Sequence, residues 1–204
     1  MLKDKKVRIA VMVSGGGTNL QALIDSEKAG TISSGEIVLV LSNKADAYAL
    51  TRAQKAGIKA VAVTRAEFGA DFENKIIKTL EENNIDLIVL AGFMCILSRD
   101  FTDKFEKRII NIHPSLIPSF CGEGFYGLRV HSAALEKGVK VTGATVHFVN
   151  EIPDGGEIIM QKAVEVLEGD TPETLSARVL ENAEWKILPA ATQLVCEKIL
   201  KGEI

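Results

Sequence analysis

The chain has 204 residues, 47% hydrophobic and 25% charged, which fits one folded domain and excludes a disordered tail. Lys and Arg number 24 against 27 Asp and Glu, and a net charge of -3 argues against sequence-independent nucleic-acid binding, while backbone N–H groups can still hold a small anion. Cys95, Cys121 and Cys196 form no CxxC pair, which excludes a disulfide framework and a zinc ribbon, and no HExxH spacing points to a metal.

Lys3, Lys5 and Lys6 precede an apolar run at 7–13 that is too short to cross a membrane and lacks a cleavage site. No signal peptide is expected, and the predicted location is a reducing cytoplasm. The runs 7–13, 37–41, 60–63, 87–91 and 109–112 are apolar on both faces, as strands covered on both sides should be. Between them the periodicity predicts helices at 19–29, 47–56, 72–83 and 99–105, capped by Thr18, Asp46, Asp71 and Ser98. Gly30 and Gly57 stand where the first two should stop. Such alternation predicts a three-layer, Rossmann-like α/β fold with a mainly parallel sheet.

The pattern changes after His113. Residues 114–130 carry two prolines and three glycines among aromatics, and a loop of this length is usually functional. A short helix at 132–137 then precedes two strands, 139–149 and 158–166, joined too tightly for a crossover and therefore antiparallel. Thr171 and Pro172 open the last helical region, which Pro189 should break or kink before 190–201. No repeat or linker is visible, so one domain is expected.

Ligands of open parallel sheets collect at the carboxyl ends of the strands, which directs attention to 14–19, 91–97 and 111–118. Ser14-Gly15-Gly16-Gly17-Thr18-Asn19 leads from a strand into a helix, a geometry that presents N–H groups and helix dipole to an anion. It is not a Walker loop, and Leu20 replaces the third glycine of the dinucleotide fingerprint, so a single phosphate fits better than a pyrophosphate. A tight turn without a ligand is the plainer alternative. Asn111 and His113, two apart on one strand, share a face and can together stabilise an oxyanion and move a proton. Asp154-Gly155 is either a simple hairpin turn or the source of a carboxylate that orients His113. His147 belongs either to that pocket or, more simply, to the core.

At these residues the sequence resembles the phosphoribosylglycinamide formyltransferase family. The resemblance rests on segments 14–21, 42–47, 90–94, 111–118 (Asn-Ile-His-Pro-Ser-Leu-Ile-Pro), 145–149 and 154–156 (Asp-Gly-Gly), in order along nearly the whole chain. It implies the formyltransferase fold, in which an antiparallel C-terminal hairpin completes the sheet. It also implies formyl transfer from 10-formyltetrahydrofolate to the amine of 5'-phosphoribosylglycinamide, the third step of purine synthesis, by a monomer or homodimer with small-molecule substrates, no metal, no nucleic acid and no membrane.

By motif, Gly16, Gly17, Thr18 and Asn19 would hold the phosphate and ribose in the N-terminal half, with Glu184 on the ribose hydroxyls. Met94, Cys95, Ile96 and Leu97 would line the pteridine pocket opposite Val149 and Asn150. Asn111, His113 and Asp154 would be catalytic: Asn111 and a protonated His113 stabilise the tetrahedral oxyanion, and Asp154 raises the pKa of His113.

Two features depart from the family pattern. Cys95 stands where arginine is common, and the loop 119–129 is longer than the Pro-Gly form, as either a lid or a surface insertion. The rival enzymes on this module, a formyltetrahydrofolate hydrolase and a methionyl-tRNA formyltransferase, would bring an added N- or C-terminal domain that these 204 residues are not expected to hold. Other classes are a cysteine hydrolase using Cys121 with His113 or His131, and a non-catalytic nucleotide-binding module.

Overall fold

The computed structural model describes residues 5–204; Lys3, part of the basic start, lies outside them. Strand β1 (Val7–Val13) sends Ile9, Val11 and Val13 into one apolar layer and Ala10 and Met12 into the other, which is why the run carries no polar face. With β2 (Gly35–Ser42), β3 (Lys59–Ala62), β4 (Leu87–Leu90) and β5 (Ile109–His113) it forms the parallel part of the sheet. β6 (Val141–Phe148) and β7 (Ile158–Glu165) add antiparallel to β5, and the seven strands run in the order β3-β2-β1-β4-β5-β6-β7. The hairpin inferred from its short connection is therefore present.

The helices are α1 (Thr18–Lys28), α2 (Tyr48–Lys55), a single turn α3 (Arg65–Phe68), α4 (Phe72–Glu82), α5 (Arg99–Lys104), α6 (Leu128–Lys137), α7 (Pro172–Val179) and α8 (Trp185–Lys201). Leu20, Leu23, Ala49, Ala53, Ala134, Leu175 and Leu188 pack α1, α2, α6, α7 and α8 on one face. Phe72, Ile76, Leu80 and Phe101 pack α4 and α5 on the other. Phe72, 1% exposed, is among the largest side chains of that second layer. Phe72→Ala should cost about 3–5 kcal/mol, through lost transfer energy and a residual cavity, read as a lower urea midpoint at unchanged slope.

The chain lays β2 and β3 on one side of β1, then crosses back to lay β4 and β5 on the other. The order reverses between β1 and β4, and the loops leaving these strands separate there into a crevice. Ser14 Oγ accepts from Met94 N–H (2.7 Å) and ties the two loops together across it. Among the described residues no helix is long and apolar enough to cross a membrane.

Several expected boundaries shift for physical reasons. Thr18 is the first helical residue rather than the cap; Gly17 holds the cap position and no side chain accepts from the first turn. Asp46 does not cap α2, whose cap position is Ala47, and Asp71 precedes α4 but accepts from Asn74 Nδ2 instead of the backbone. Ser98 does cap α5, and Thr171 and Thr174 form a reciprocal capping box on α7. The helix expected at 132–137 begins earlier, at Leu128. Pro189 does not break the final helix and sits buried within α8. The departure from regular winding is instead a π turn, Leu180–Glu184, between α7 and α8.

Candidate active site

A cleft of about 1000 Å³ opens where the carboxyl ends of β1, β4 and β5 meet, at the upper end of the range for small-molecule sites. Thr18 and Asn19 border it after β1, Met94, Cys95, Ile96 and Leu97 after β4, and Asn111 and His113 at the end of β5. Val149, Asn150 and Asp154 come from the hairpin connection, and Glu184 from the π turn. All these predicted site residues thus share one cavity. Gly16 and Gly17 do not line it.

The antiparallel register sets His147 directly opposite Asn111, so a side chain read as a core histidine stands in the site. His147 Nδ1 donates to the Phe148 carbonyl (2.7 Å), and its Nε2 meets Asn111 Nδ2 (3.2 Å). That contact turns one amide hydrogen of Asn111 to His147 and leaves the other free. Period-two alternation was the available signal, since Thr145 and His147 put polar atoms on one face of β6 while Ala144, Val146 and Phe148 lie on the other. Which strand that face meets depends on register.

Asp154 occupies a hairpin turn, with φ at 56° and Gly155 N–H on the Ile152 carbonyl (2.9 Å), so the turn and carboxylate readings both hold. Its Oδ2 lies 3.3 Å from His113 Nδ1 and accepts from Gly122 N–H (2.9 Å); its Oδ1 lies 3.5 Å from His147 Nε2. Gly156 closes the turn where only glycine fits, because a Cβ would stand 1.8 Å from the Phe148 carbonyl oxygen. Burial alone pushes the Asp154 carboxyl up, but the contacts from His147, Gly122 N–H and His113 together outweigh it and hold its pKa below the usual carboxylate value.

His113 is 4% exposed and meets an acceptor at each ring nitrogen: Asp154 at Nδ1 and the Phe120 carbonyl at Nε2 (2.9 Å). Only the imidazolium satisfies both with N–H groups. Burial nevertheless carries its pKa below the ordinary histidine value, against the pull of Asp154 and Phe120 and with the help of His147. Asp154 does pull this pKa upward, as expected, yet the net shift is downward. Asp154 opposes the fall without reversing it, because desolvation of the cation is the larger effect.

The loop 114–127 is a wall of the cleft and not a detached insertion. Its root is fastened by Thr145 Oγ1, which accepts from Ile117 N–H (3.1 Å), and by Gln161 Nε2, which donates to the Ile117 carbonyl (3.0 Å). Its tip touches the site through Phe120 and Gly122. Cys121 donates its thiol to the Pro118 carbonyl (3.4 Å), and burial with the nearby charge of Asp154 pushes the thiol's pKa up. Among the described residues no histidine hydrogen-bonds to it, so the activated thiolate that a cysteine hydrolase needs is disfavoured. His131 is buried beside the cleft, its Nδ1 without a partner among the described residues, and burial together with His113 lowers its pKa to about 4, which keeps it neutral. Asn43 Nδ2 donates to Cys95 Sγ (3.0 Å) at the position where arginine is common.

Asn19 and Glu184, distant in sequence, meet through Asn19 Nδ2 and a Glu184 carboxylate oxygen (2.7 Å). Glu184 is 8% exposed, and its burial pushes its pKa above the ordinary carboxylate value despite that hydrogen bond. Among the described residues nothing partners the buried Asn19 Oδ1. Among the described residues no group of three or more His, Cys, Asp and Glu is arranged to hold a metal ion.

The sequence matches the formyl transferase family over residues 7–192. Phosphoribosylglycinamide formyltransferase of Haemophilus influenzae is 42% identical over 196 residues, a match spanning 95% of this chain and 89% of that protein. The trifunctional purine biosynthetic protein adenosine-3 of Gallus gallus is 51% identical over 196 residues, but this chain spans only 19% of its length. The crystal structure of glycinamide ribonucleotide transformylase 1 from Symbiobacterium toebii shares the fold at a TM-score of 0.88 and 44% identity, over 94% of this chain and 88% of that one. With the match running across the sheet, the cleft and the Asn111, His113 and Asp154 cluster, the chain belongs to the formyl transferase family, among its phosphoribosylglycinamide formyltransferases.

Proposed function

We infer that the chain transfers the formyl group of 10-formyltetrahydrofolate to the amine of 5'-phosphoribosylglycinamide, releasing tetrahydrofolate, as a cytoplasmic enzyme acting on small molecules. The observation that carries this reading is the convergence of Asn111, His113 and Asp154 in one cleft between an uncapped helix N-terminus and an apolar wall. The first turn of α1 contains no acidic side chain, so nothing local competes with a bound phosphate for its N–H groups. Asn19 and Glu184 stand beside it, and the buried carboxylate has one protein donor, leaving acceptor capacity for a sugar hydroxyl. Met94, Ile96 and Ile152 are 52%, 66% and 58% exposed while lining the cleft, an uncovered apolar surface of the kind a flat heteroaromatic ring would bury.

The chemistry needs no protein nucleophile, because the substrate amine supplies the electron pair. As a nitrogen–carbon bond forms, charge grows on the formyl oxygen, and the free amide hydrogen of Asn111 and an N–H of His113 are the donors at hand. His113 Nε2 must leave the Phe120 carbonyl to serve in this way. As the bond to N10 of the folate breaks, one proton leaves the amine and one reaches N10, and Asp154 with His113 forms the relay between them.

The test is folate release from 10-formyltetrahydrofolate, followed by absorbance with and without phosphoribosylglycinamide, in the wild type and in His113→Ala. Release that requires the amine and falls by about 10²–10⁴ in the variant is expected. Release without the amine would make the chain a hydrolase on the same scaffold, and no release in either case would remove the assignment.

A further inference from the structure

The phosphate loop is gripped from behind by α2, and one side chain of that helix bonds directly to it. Ala49 N–H donates to the Gly15 carbonyl (3.1 Å), and Arg52 Nε donates to the Gly16 carbonyl (2.8 Å). In a planar trans peptide the N–H points opposite the carbonyl. Pinning these two carbonyls on α2 therefore turns the N–H groups of Gly16 and Gly17 away from it. Gly17 lets α2 come this close, since a Cβ at its φ of 73° would lie 2.7 Å from the Ala49 Cβ.

Arg52 is itself held on three sides. Its Nε reaches Gly16, its Nη1 donates to Gln21 Oε1 (3.1 Å), and its guanidinium lies 5.1 Å from the centre of the Tyr48 ring. Lys28 and Lys55 border the same small groove, so the loop backs onto positive charge. A guanidinium fixed in this way does two things for an anion on the other side of the loop. It polarises the Gly16–Gly17 peptide, and it adds a preorganised field without touching the ligand.

We propose that Arg52 is a positioning residue for the substrate phosphate, setting the orientation of the loop N–H groups and the potential they present. The proposal rests on the formyl-transfer reading for its substrate but not for its phosphate. Arg52→Met should raise KM for phosphoribosylglycinamide about tenfold, with kcat and KM for 10-formyltetrahydrofolate unchanged. Arg52→Lys, which keeps the charge and one donor but not the fork, should fall between the two. If Arg52→Met fails to fold, Gln21→Leu releases one side of the guanidinium from an exposed helix face and should raise the same constant about threefold.

Ribose 5-phosphate binding by calorimetry keeps the two readings separable. A wild type without turnover whose ribose 5-phosphate affinity still falls about tenfold in Arg52→Met would end the formyl-transfer reading and leave Arg52 its role. Unchanged KM and unchanged ribose 5-phosphate affinity would overturn the proposal, as would an equal rise in KM for both substrates, which marks a general loss of structure.

Discussion

Asp154→Asn should leave the protein folded and reduce kcat about 10³-fold, with KM for both substrates nearly unchanged. The amide is isosteric, and the contacts of the carboxylate tolerate it one by one. Its oxygen can take over the Gly122 N–H and the His113 Nδ1–H now received by Oδ2, and its NH2 takes the place of the Oδ1 that lies 3.5 Å from His147 Nε2. What the substitution removes is the charge. In wild type, burial already lowers the pKa of His113, and Asp154 is the first of the groups that oppose it. Without that carboxylate the imidazolium loses the anion beside it and the pKa falls further.

The sign of the pH effect follows. Protonated His113 is the form with a donor for the developing oxyanion and a proton to give, and its population falls as pH rises through its pKa. In Asp154→Asn that alkaline loss of kcat should therefore move to lower pH, while Asp154 itself, held below the usual carboxylate value, adds no titration near neutrality in wild type. A kcat–pH series on both proteins, with the His113 ring followed by NMR, checks both statements. A variant with wild-type kcat at every pH would remove Asp154 from the chemistry.

The parallel strands were legible because their runs are apolar on both faces, the pattern left by a sheet covered by helices on both sides. Helix starts were less so. Thr18 reads as a cap on residue type, yet the helix begins at Thr18 itself behind a left-handed Gly17, and the lack of a cap keeps the terminal N–H groups free. The early start of α6 at Leu128 follows a glycine with no side-chain cap, a signal indistinguishable from more loop. Pro189 was a local warning that tertiary packing overrode: it lies buried in α8, and the irregular winding sits upstream in a π turn.

The site divides in the same way. Asn111 and His113 could be placed together because two residues on one strand share a face whatever the partner strand does. His147 could not, since its place beside Asn111 depends on the register of a second strand. Gly16 and Gly17 are permissive backbone, as their residue type indicates; neither side of the cleft is lined by them, and Gly17 serves the approach of α2. Glu184 was reachable only through the family resemblance, because no spacing rule joins it to Asn19.

Glu184 carries the second large effect, in which stability and binding move in opposite directions. Glu184→Gln should bind phosphoribosylglycinamide about 100-fold more weakly and yet be more stable than wild type near pH 8, by about 1–2 kcal/mol, the scale of the desolvation penalty a neutral amide avoids. The buried carboxyl has one donor, Asn19 Nδ2, which the amide oxygen can still accept from. Burial raises the folded-state pKa of Glu184 above its ordinary 4.5, so its contribution to stability is full below that value and is lost as pH rises through the raised folded value. Gln has no proton to lose, so the stability gap should open on going from pH 4 to pH 8 and narrow again in acid. A sugar diol donating two O–H groups would recover in the complex what the free carboxylate costs, whereas the amide offers one acceptor oxygen and a donor pair in the wrong place. Urea midpoints at both pH values, measured with and without ribose 5-phosphate, separate the two effects. Equal stability at pH 8, or a ligand-induced rise in midpoint as large in the variant as in wild type, would show that the buried charge is not held for the substrate.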